Sequence, residues 1–322
     1  EDLPDLRAAL LAADPAGSVM PEAGGSSEVS DAETVVSEEV GHLREALEAV
    51  YPTSTTSFSD RYLQSILAVP GRKFDYAKEK MLKCLELRTR LEVSTALWQQ
   101  PPVLSQLEGG SMYWWCLDKH SRPVLFVRPM KKVWDNMDRD AEVKAHLAMI
   151  ELGVAMMPAG VTTFCLISDC AGLGLKQNDP VLMKQLTSAV LAAYPDRLGH
   201  VCIGPLNALV RVGYRLLRPL LPARITPKIR LMKNPKEDLL EFLNPEDIPT
   251  FFGGPAVHNW DQSTTDGSGF SVPAMMERFL RKAASRPLYA VPESGAASPE
   301  SAGGTPNRAS PGSQGRQSSF RS

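Results

Sequence analysis

The sequence has no apolar run close to the roughly 20 residues that a helix needs to cross a bilayer. It also lacks a strong charge of either sign. In a chain of 322 residues, 35 lysines and arginines oppose 37 aspartates and glutamates, and the pI is near 6.3. A general nucleic-acid-binding protein carries a strongly basic surface, so this balance argues against that class. These absences predict a soluble globular protein that does not bind nucleic acid.

Cysteine is also scarce. The chain has five, an odd number, and they lie mostly in apolar or amphipathic surroundings: Cys84, Cys116, Cys165, Cys170 and Cys202. This pattern predicts reduced core residues of an intracellular protein and not a disulfide framework. No cysteine pair and no spaced histidines have the arrangement of a zinc site, so we predict no metal site.

Catalytic motifs are missing as well. The segment 172–176 is rich in glycine, but it lacks the consecutive glycine, lysine and hydroxyl residues that complete a phosphate-binding loop. It is instead typical of a turn between a strand and a helix. The histidines are scattered, and Ser168 and Asp169 do not lie in a nucleophile elbow. We therefore predict a protein that is not an enzyme, with no catalytic residue and no cofactor.

Composition divides the chain into segments. Residues 1–38 and 287–322 are rich in small, polar and proline residues, and they offer too little apolar surface to offset chain entropy. Both are predicted to be disordered, apart from a short helix near 3–11. The patterned region between them has three predicted parts: a helical subdomain at 39–98, an α/β domain at 99–256 and a helical extension at 257–286.

Helix and strand patterns alternate within the patterned region. Periodicity of 3.6 predicts helices at 38–50, 74–91, 140–156 and 180–193. Short apolar runs bounded by turn residues predict strands at 112–115, 123–127, 161–169 and 201–203. Such alternation predicts an α/β fold with a mixed, mainly parallel sheet flanked by helices. A small N-terminal helical subdomain is expected to precede it.

Five short motifs carry a family resemblance. In chain order they are Arg72-Lys73-Phe74-Asp75, Asp118-Lys119-His120-Ser121-Arg122-Pro123-Val124, Asp169-Cys170-Ala171-Gly172, Tyr194-Pro195-Asp196-Arg197 and Phe252-Gly253-Gly254. In this order and spacing, about residues 58–256 resemble the CRAL-TRIO lipid-binding family, in particular its phosphatidylinositol-transfer members. The chain departs from the family pattern where Ser121 replaces a glycine and Asp196 replaces a glutamate.

The resemblance implies a function. It implies that the protein binds a single lipid, phosphatidylinositol in first place, in a closed hydrophobic pocket and transfers or presents it at membranes. It further implies a monomer in the cytoplasm that associates with membranes peripherally and transiently. Two alternatives stay open: a carrier of an isoprenoid-type or single-chain lipid, and a non-catalytic protein-interaction scaffold with the same fold.

The segment 206–217 is amphipathic and is predicted to be a lid helix. One face of its helical projection carries Leu206, Leu209, Val210, Gly213 and Leu217, and the opposite face carries Arg211, Arg215 and Arg218. Such a helix can cover an apolar cavity and turn a basic face outward. Near an anionic bilayer each basic group is worth on the order of 1 kcal/mol, so the arginines are predicted to dock the lid to membranes. The alternative is an ordinary core helix with a solvated basic edge.

The resemblance also implies headgroup-binding residues. The lysine that contacts phosphoinositol in the family resembles Lys228, and the acidic residue of the fourth motif is Asp196. A basic residue late in the N-terminal subdomain corresponds to Arg88. The alternatives are a surface lysine, a turn aspartate and an arginine on a solvated helix face.

Three further positions depart from the family pattern. Ile225 replaces a threonine that precedes the family lysine, and Phe164 and Leu166 replace the hydroxyl residues that hold a choline headgroup. The resemblance therefore implies that the usual phosphatidylcholine site is lost and that the inositol-lipid site is incomplete. We place all three apolar side chains in the predicted lipid pocket. Phe164 and Leu166 favour the isoprenoid-type alternative.

Overall fold

The computed structural model describes residues 29–53, 58–258 and 270–285, with side chains from Glu38 onward. Of the predicted disorder at 1–38 and 287–322, only residues 29–38 fall within these ranges, and there the structure has helix. The predicted helix at 3–11 lies outside them. All described residues belong to one compact unit. None of the described helices has both the length and the apolar composition of a membrane span.

Three helices form the N-terminal part of the structure. They are α1 (Val29–Glu48), α2 (Asp60–Leu67) and α3 (Phe74–Arg90). Helix α1 begins nine residues before position 38, where the sequence pattern placed its start. The buried side chains of the three helices form a small core of their own, which includes Leu43, Leu47, Tyr62, Ile66 and Met81.

Five strands form one mixed sheet. They are β1 (Met112–Leu117), β2 (Pro123–Val127), β3 (Phe164–Asp169), β4 (Leu198–Gly204) and β5 (Ile229–Leu231), and they lie side by side in chain order. Strand β1 pairs with β2 in antiparallel orientation, and the other three pairings are parallel. The predicted fold class is confirmed. Strand β5 was not predicted, because it has three residues and lies within the basic stretch from Arg224 to Lys236.

The crossover helices lie on one face of this sheet. After the short helix α4 (Pro101–Leu107), they are α5 (Arg139–Ala155), α6 (Pro180–Ala193) and α7 (Ala208–Leu217). Each helix connects one strand to the next parallel strand, and each connection moves one position further across the sheet in the same direction. Right-handed crossovers therefore place all three helices on the same side. Trp114 of β1 identifies that side, because its indole Nε1 donates to the carbonyl of Met149 in α5 at 2.7 Å.

The opposite face of the sheet is tightly covered. The chain after β5 returns across it through the short helix α8 (Pro235–Leu239) and the segment up to His258. Tyr113 stacks on Phe126 with ring centroids 5.8 Å apart, and its hydroxyl lies 3.0 Å from Nδ1 of His258. Helix α9 (Val272–Ala284), within the predicted extension at 257–286, packs on β1.

Two helical glycines make a matched test of this packing. A Cβ added at Gly153 of α5 would lie 1.9 Å from Cζ2 of Trp114, whereas one added at Gly213 of α7 would meet nothing within 4 Å. We expect Gly153→Ala to lower the free energy of unfolding by about 1–3 kcal/mol through overpacking. Gly213→Ala should leave it unchanged or raise it by about 0.5–1 kcal/mol. Urea unfolding of both variants measures this, and equal effects would contradict the described packing.

Candidate functional site

The sheet face beneath α6 and α7 is apolar but only half-buried. The register aligns Leu166, Val201 and Ile229 in one row across three strands and Ser168, Ile203 and Leu231 in the next. All six side chains are half-buried, and we call them the half-buried sheet face. On the other side of the same strands, Ile167 and Cys202 are almost completely buried.

The helices above this face do not close over it. Helix α6 is strongly apolar, yet only Leu182 and Ala193 of its residues are buried. Helix α7 buries Val210 alone. Protein interiors are normally close-packed, so apolar side chains that stay half-exposed on the sheet and on the helices above it are not packed tightly against each other. An apolar surface left uncovered in this way suits a hydrophobic ligand, and it is the candidate site of this chain.

Helix α7 is oriented as its pattern predicted. The side chain of Asn207 caps its first turn by accepting from the backbone N–H of Val210 at 2.9 Å. The five residues of the predicted inner face are buried or half-buried: Leu206, Leu209, Val210, Gly213 and Leu217. The three arginines of the predicted outer face are exposed: Arg211, Arg215 and Arg218. The helix thus turns its apolar side towards the protein and its basic side to solvent.

The three apolar pocket positions fall in different places. Leu166 belongs to the half-buried sheet face, where a ligand could contact it. Phe164 is fully buried and meets Trp114 edge-on, with ring centroids 5.8 Å apart. Ile225 is buried in the main core, three residues before Lys228.

Asp196 lies at the edge of the sheet where the parallel strands begin. Its carboxylate forms ion pairs with Arg72 at 2.8 Å, Lys80 at 2.9 Å and Arg224 at 3.2 Å. Burial alone would raise the pKa of Asp196. The hydrogen bonds from Arg72 and Lys80 outweigh that effect, and the net pKa is lowered. The carboxylate is therefore charged and surrounded by three cations.

Lys228 lies at the same edge, directly before β5. Its ammonium donates to the carbonyl of Leu198 at 2.5 Å, and its side chain is half-buried. Burial lowers its pKa, and Arg224 and Arg122 add to this effect against the opposite influence of Asp196. Among the described residues, Lys228 forms no ion pair within 4 Å. An ammonium has three donors, so this half-buried cation is suited to an anionic ligand.

Arg88 has a different environment. Its guanidinium forms two hydrogen bonds to the carboxylate of Glu151 in α5, at 2.8 and 2.9 Å, and both side chains are buried. The hydroxyl of Tyr194 donates to the same carboxylate at 3.0 Å. The charge of Arg88 is therefore matched inside the protein. The basic residues of the helical subdomain that reach Asp196 are Arg72 and Lys80.

Sequence reasoning missed Arg72 and Lys80 as site residues. The signal was present, because Arg72 opens the first family motif, but the motif was used only for the family resemblance. Across the described ranges, no group of three or more His, Cys, Asp or Glu side chains has the arrangement of a metal site.

Comparisons with known proteins match this architecture. Residues 107–254 match the family model of the CRAL/TRIO domain. Patellin-6 from Arabidopsis thaliana is 27% identical over 186 residues, which are 53% of this chain and 45% of the relative. Phosphatidylinositol transfer protein CSR1 from Eremothecium gossypii is 24% identical over 205 residues, 60% of this chain and 47% of the relative. The chain therefore spans less than half the length of each relative.

A solved structure shares the fold. The crystal structure of Sfh5 superposes with a TM-score of 0.54 and covers 77% of this chain and 94% of its own, at 11% sequence identity. At that identity the likeness shows the fold alone.

A double-mutant cycle tests the role of Arg88. Arg88→Met leaves the buried carboxylate of Glu151 without its cation, and we expect a loss of about 3–5 kcal/mol in the free energy of unfolding. The Arg88→Met/Glu151→Met double variant should lose clearly less than the sum of the two single variants. Urea unfolding of all four proteins measures the coupling. Additive losses, or a stable Arg88→Met variant that fails to load lipid, would instead support a headgroup role.

Proposed function

Because residues 107–254 of this chain match the family model of the CRAL/TRIO domain, we propose that the protein binds a single lipid between the half-buried sheet face and helices α6 and α7. It then transfers or presents that lipid at membranes, without catalysis. The observation that carries the proposal is the half-buried sheet face, an apolar surface that the helices above it leave partly uncovered.

The free energy gained by burying a lipid chain favours a closed site. Burying one methylene is worth about 0.8 kcal/mol, so a chain of about 16 carbons gains on the order of 12 kcal/mol. A lipid held at an open surface would lose much of this to water. Exchange is then easiest where a bilayer, and not water, receives the chain as α7 moves.

The cations at the strand edge support an anionic headgroup. In our proposal the ammonium of Lys228 contacts the lipid phosphate, and Asp196 accepts from hydroxyls of the headgroup. Arg72 and Lys80, and not Arg88, complete the group from the helical subdomain. Phosphatidylinositol offers both a phosphate and a ring of hydroxyls. It is also the lipid after which the relative CSR1 is named.

A neutral lipid is the second candidate. Leu166 places an apolar side chain on the half-buried sheet face where the family pattern has a hydroxyl residue. A single-chain or isoprenoid-type lipid would need no polar partner at that position.

Native mass spectrometry of the purified protein, followed by organic extraction, tests the proposal. A bound phospholipid supports the first candidate, and a bound isoprenoid or single-chain lipid supports the second. A chain that is empty and takes up neither phospholipid nor isoprenoid from vesicles would refute lipid carriage and favour the scaffold alternative.

Lys228 provides a sharp test of the headgroup assignment. Lys228→Ala removes one charge-assisted hydrogen bond to phosphate, worth about 1.5–3 kcal/mol, so phosphatidylinositol should bind roughly 10- to 150-fold more weakly. Uptake of a neutral fluorescent lipid should change little. The matched control is Lys233→Ala, which removes an exposed lysine of the same basic stretch. Equal loss for both lipids would mean that Lys228 supports the fold, and no loss would make it a surface lysine.

The arginines of α7 are proposed to dock the lid to anionic membranes. Reversing Arg211, Arg215 and Arg218 to glutamate should weaken binding to vesicles that contain phosphatidylserine and slow lipid transfer, while the pocket stays loaded. Binding of the unmodified protein should fall as salt rises, because exposed charges are screened within about 10 Å at 0.1 M. Vesicle sedimentation measures the first effect and mass spectrometry the loading. Vesicle binding that does not change with salt or with the charge reversal would contradict this docking role.

A further inference from the structure

The exposed side of α7 carries cations without internal partners. Within the described ranges, Arg211, Arg215 and Arg218 form no ion pair within 4 Å. The next two arginines along the chain differ, because Arg224 pairs with Asp196 and Arg230 pairs with Glu241 at 2.5 Å. Three arginines close together on one helix side are thus left without an ionic partner among the described residues.

The same side of the helix also exposes large apolar residues. Val212 and Leu216 of the helix, and Leu220 three residues after its end, are 46%, 56% and 44% exposed. Together with Arg211, Arg215 and Arg218 they make up what we call the outer face of α7. A surface that is both apolar and cationic fits a partner that is both apolar and anionic.

The chain contains a segment of that chemistry. Residues 1–28 hold six acidic residues and one basic residue, Arg7. Leu3, Leu6 and Leu10 recur at the spacing of one helix face, with Asp2 and Asp5 beside them. The other end of the chain is of the opposite sign, because residues 286–322 hold four arginines and two glutamates. Charge therefore selects the N-terminal segment.

We propose that residues 1–14 bind the outer face of α7 in the same molecule. The leucines contact Val212, Leu216 and Leu220, and the aspartates pair with the free arginines. If the lid docks to membranes as proposed above, this contact is autoinhibitory, because the segment and an anionic bilayer compete for one surface.

The chain is long enough for the contact. The 28 residues before α1 span up to roughly 90 Å when extended, whereas a folded unit of this size has a radius of gyration of roughly 18 Å. A tether of this length also holds the segment at an effective concentration in the millimolar range. Weak individual contacts are therefore sufficient for occupancy.

Disulfide trapping in the full chain tests the contact directly. All five native cysteines are free and buried, so an introduced pair is the reactive one. Under mild oxidation the Leu6→Cys/Leu216→Cys variant should form an intramolecular disulfide. Two matched controls should not: Leu6→Cys/Val257→Cys, with an exposed position elsewhere on the surface, and Leu288→Cys/Leu216→Cys, from the other end of the chain. Equal trapping in the controls, trapping only between two molecules, or no trapping would overturn the proposal.

Vesicle binding tests the competition. The Asp2→Asn/Asp5→Asn/Asp14→Asn variant should bind phosphatidylcholine vesicles that contain phosphatidylserine at least roughly threefold more tightly than the unmodified protein, since three exposed ion pairs are lost. Binding to vesicles without phosphatidylserine should change less. Unchanged affinity would overturn the autoinhibitory role. Neither readout requires a loaded pocket, so an empty protein in the mass spectrometer would refute lipid carriage without deciding this contact.

Discussion

The turn Tyr194-Pro195-Asp196-Arg197 joins the two hydrophobic cores of the structure. The Pro195 carbonyl accepts from the hydroxyl of Tyr62 at 2.6 Å, and the guanidinium of Arg197 lies 3.5 Å from the centre of the Tyr62 ring. The hydroxyl of Tyr194 reaches Glu151, the partner of Arg88. Buried polar groups are costly when unpaired, so these bonds fix the position of the helical subdomain against the sheet.

This turn also positions the polar end of the candidate site. The Arg197 carbonyl accepts from the backbone N–H of Phe164 at 2.8 Å, which fixes where β4 begins beside β3. Asp196 and the ion pairs around it follow directly from that placement. Lys228 then meets the carbonyl of Leu198, one residue after the turn. The bonds that hold the subdomain and the carboxylate of Asp196 thus share one short segment, so the proposed headgroup site depends on the stability of the whole unit.

The sequence predicted local features better than long-range pairings. Helix α6 has the predicted bounds, because Asp179 caps it and Pro180 suits its first turn. The two faces of α7 could also be predicted, because helical periodicity shows which side of a helix is apolar. Periodicity does not report a partner 63 residues away, so the pairing of Arg88 with Glu151 could not be predicted. The half-buried sheet face could not be predicted either, because fully covered and half-covered strands have the same apolar sequence pattern.

The two sides of the sheet differ in a way that suits a carrier. On one side, aromatic residues such as Tyr113, Phe126 and Phe251 pack against His258 in a closed layer. On the other side, α6 and α7 bury few of their own side chains. The free energy of local opening is low where few apolar contacts must break, so in the proposed carrier α7 would open while the sheet and its covered face stay intact. The proposed exchange of lipid needs this asymmetry, because the stability of the domain is then concentrated on the face away from the ligand.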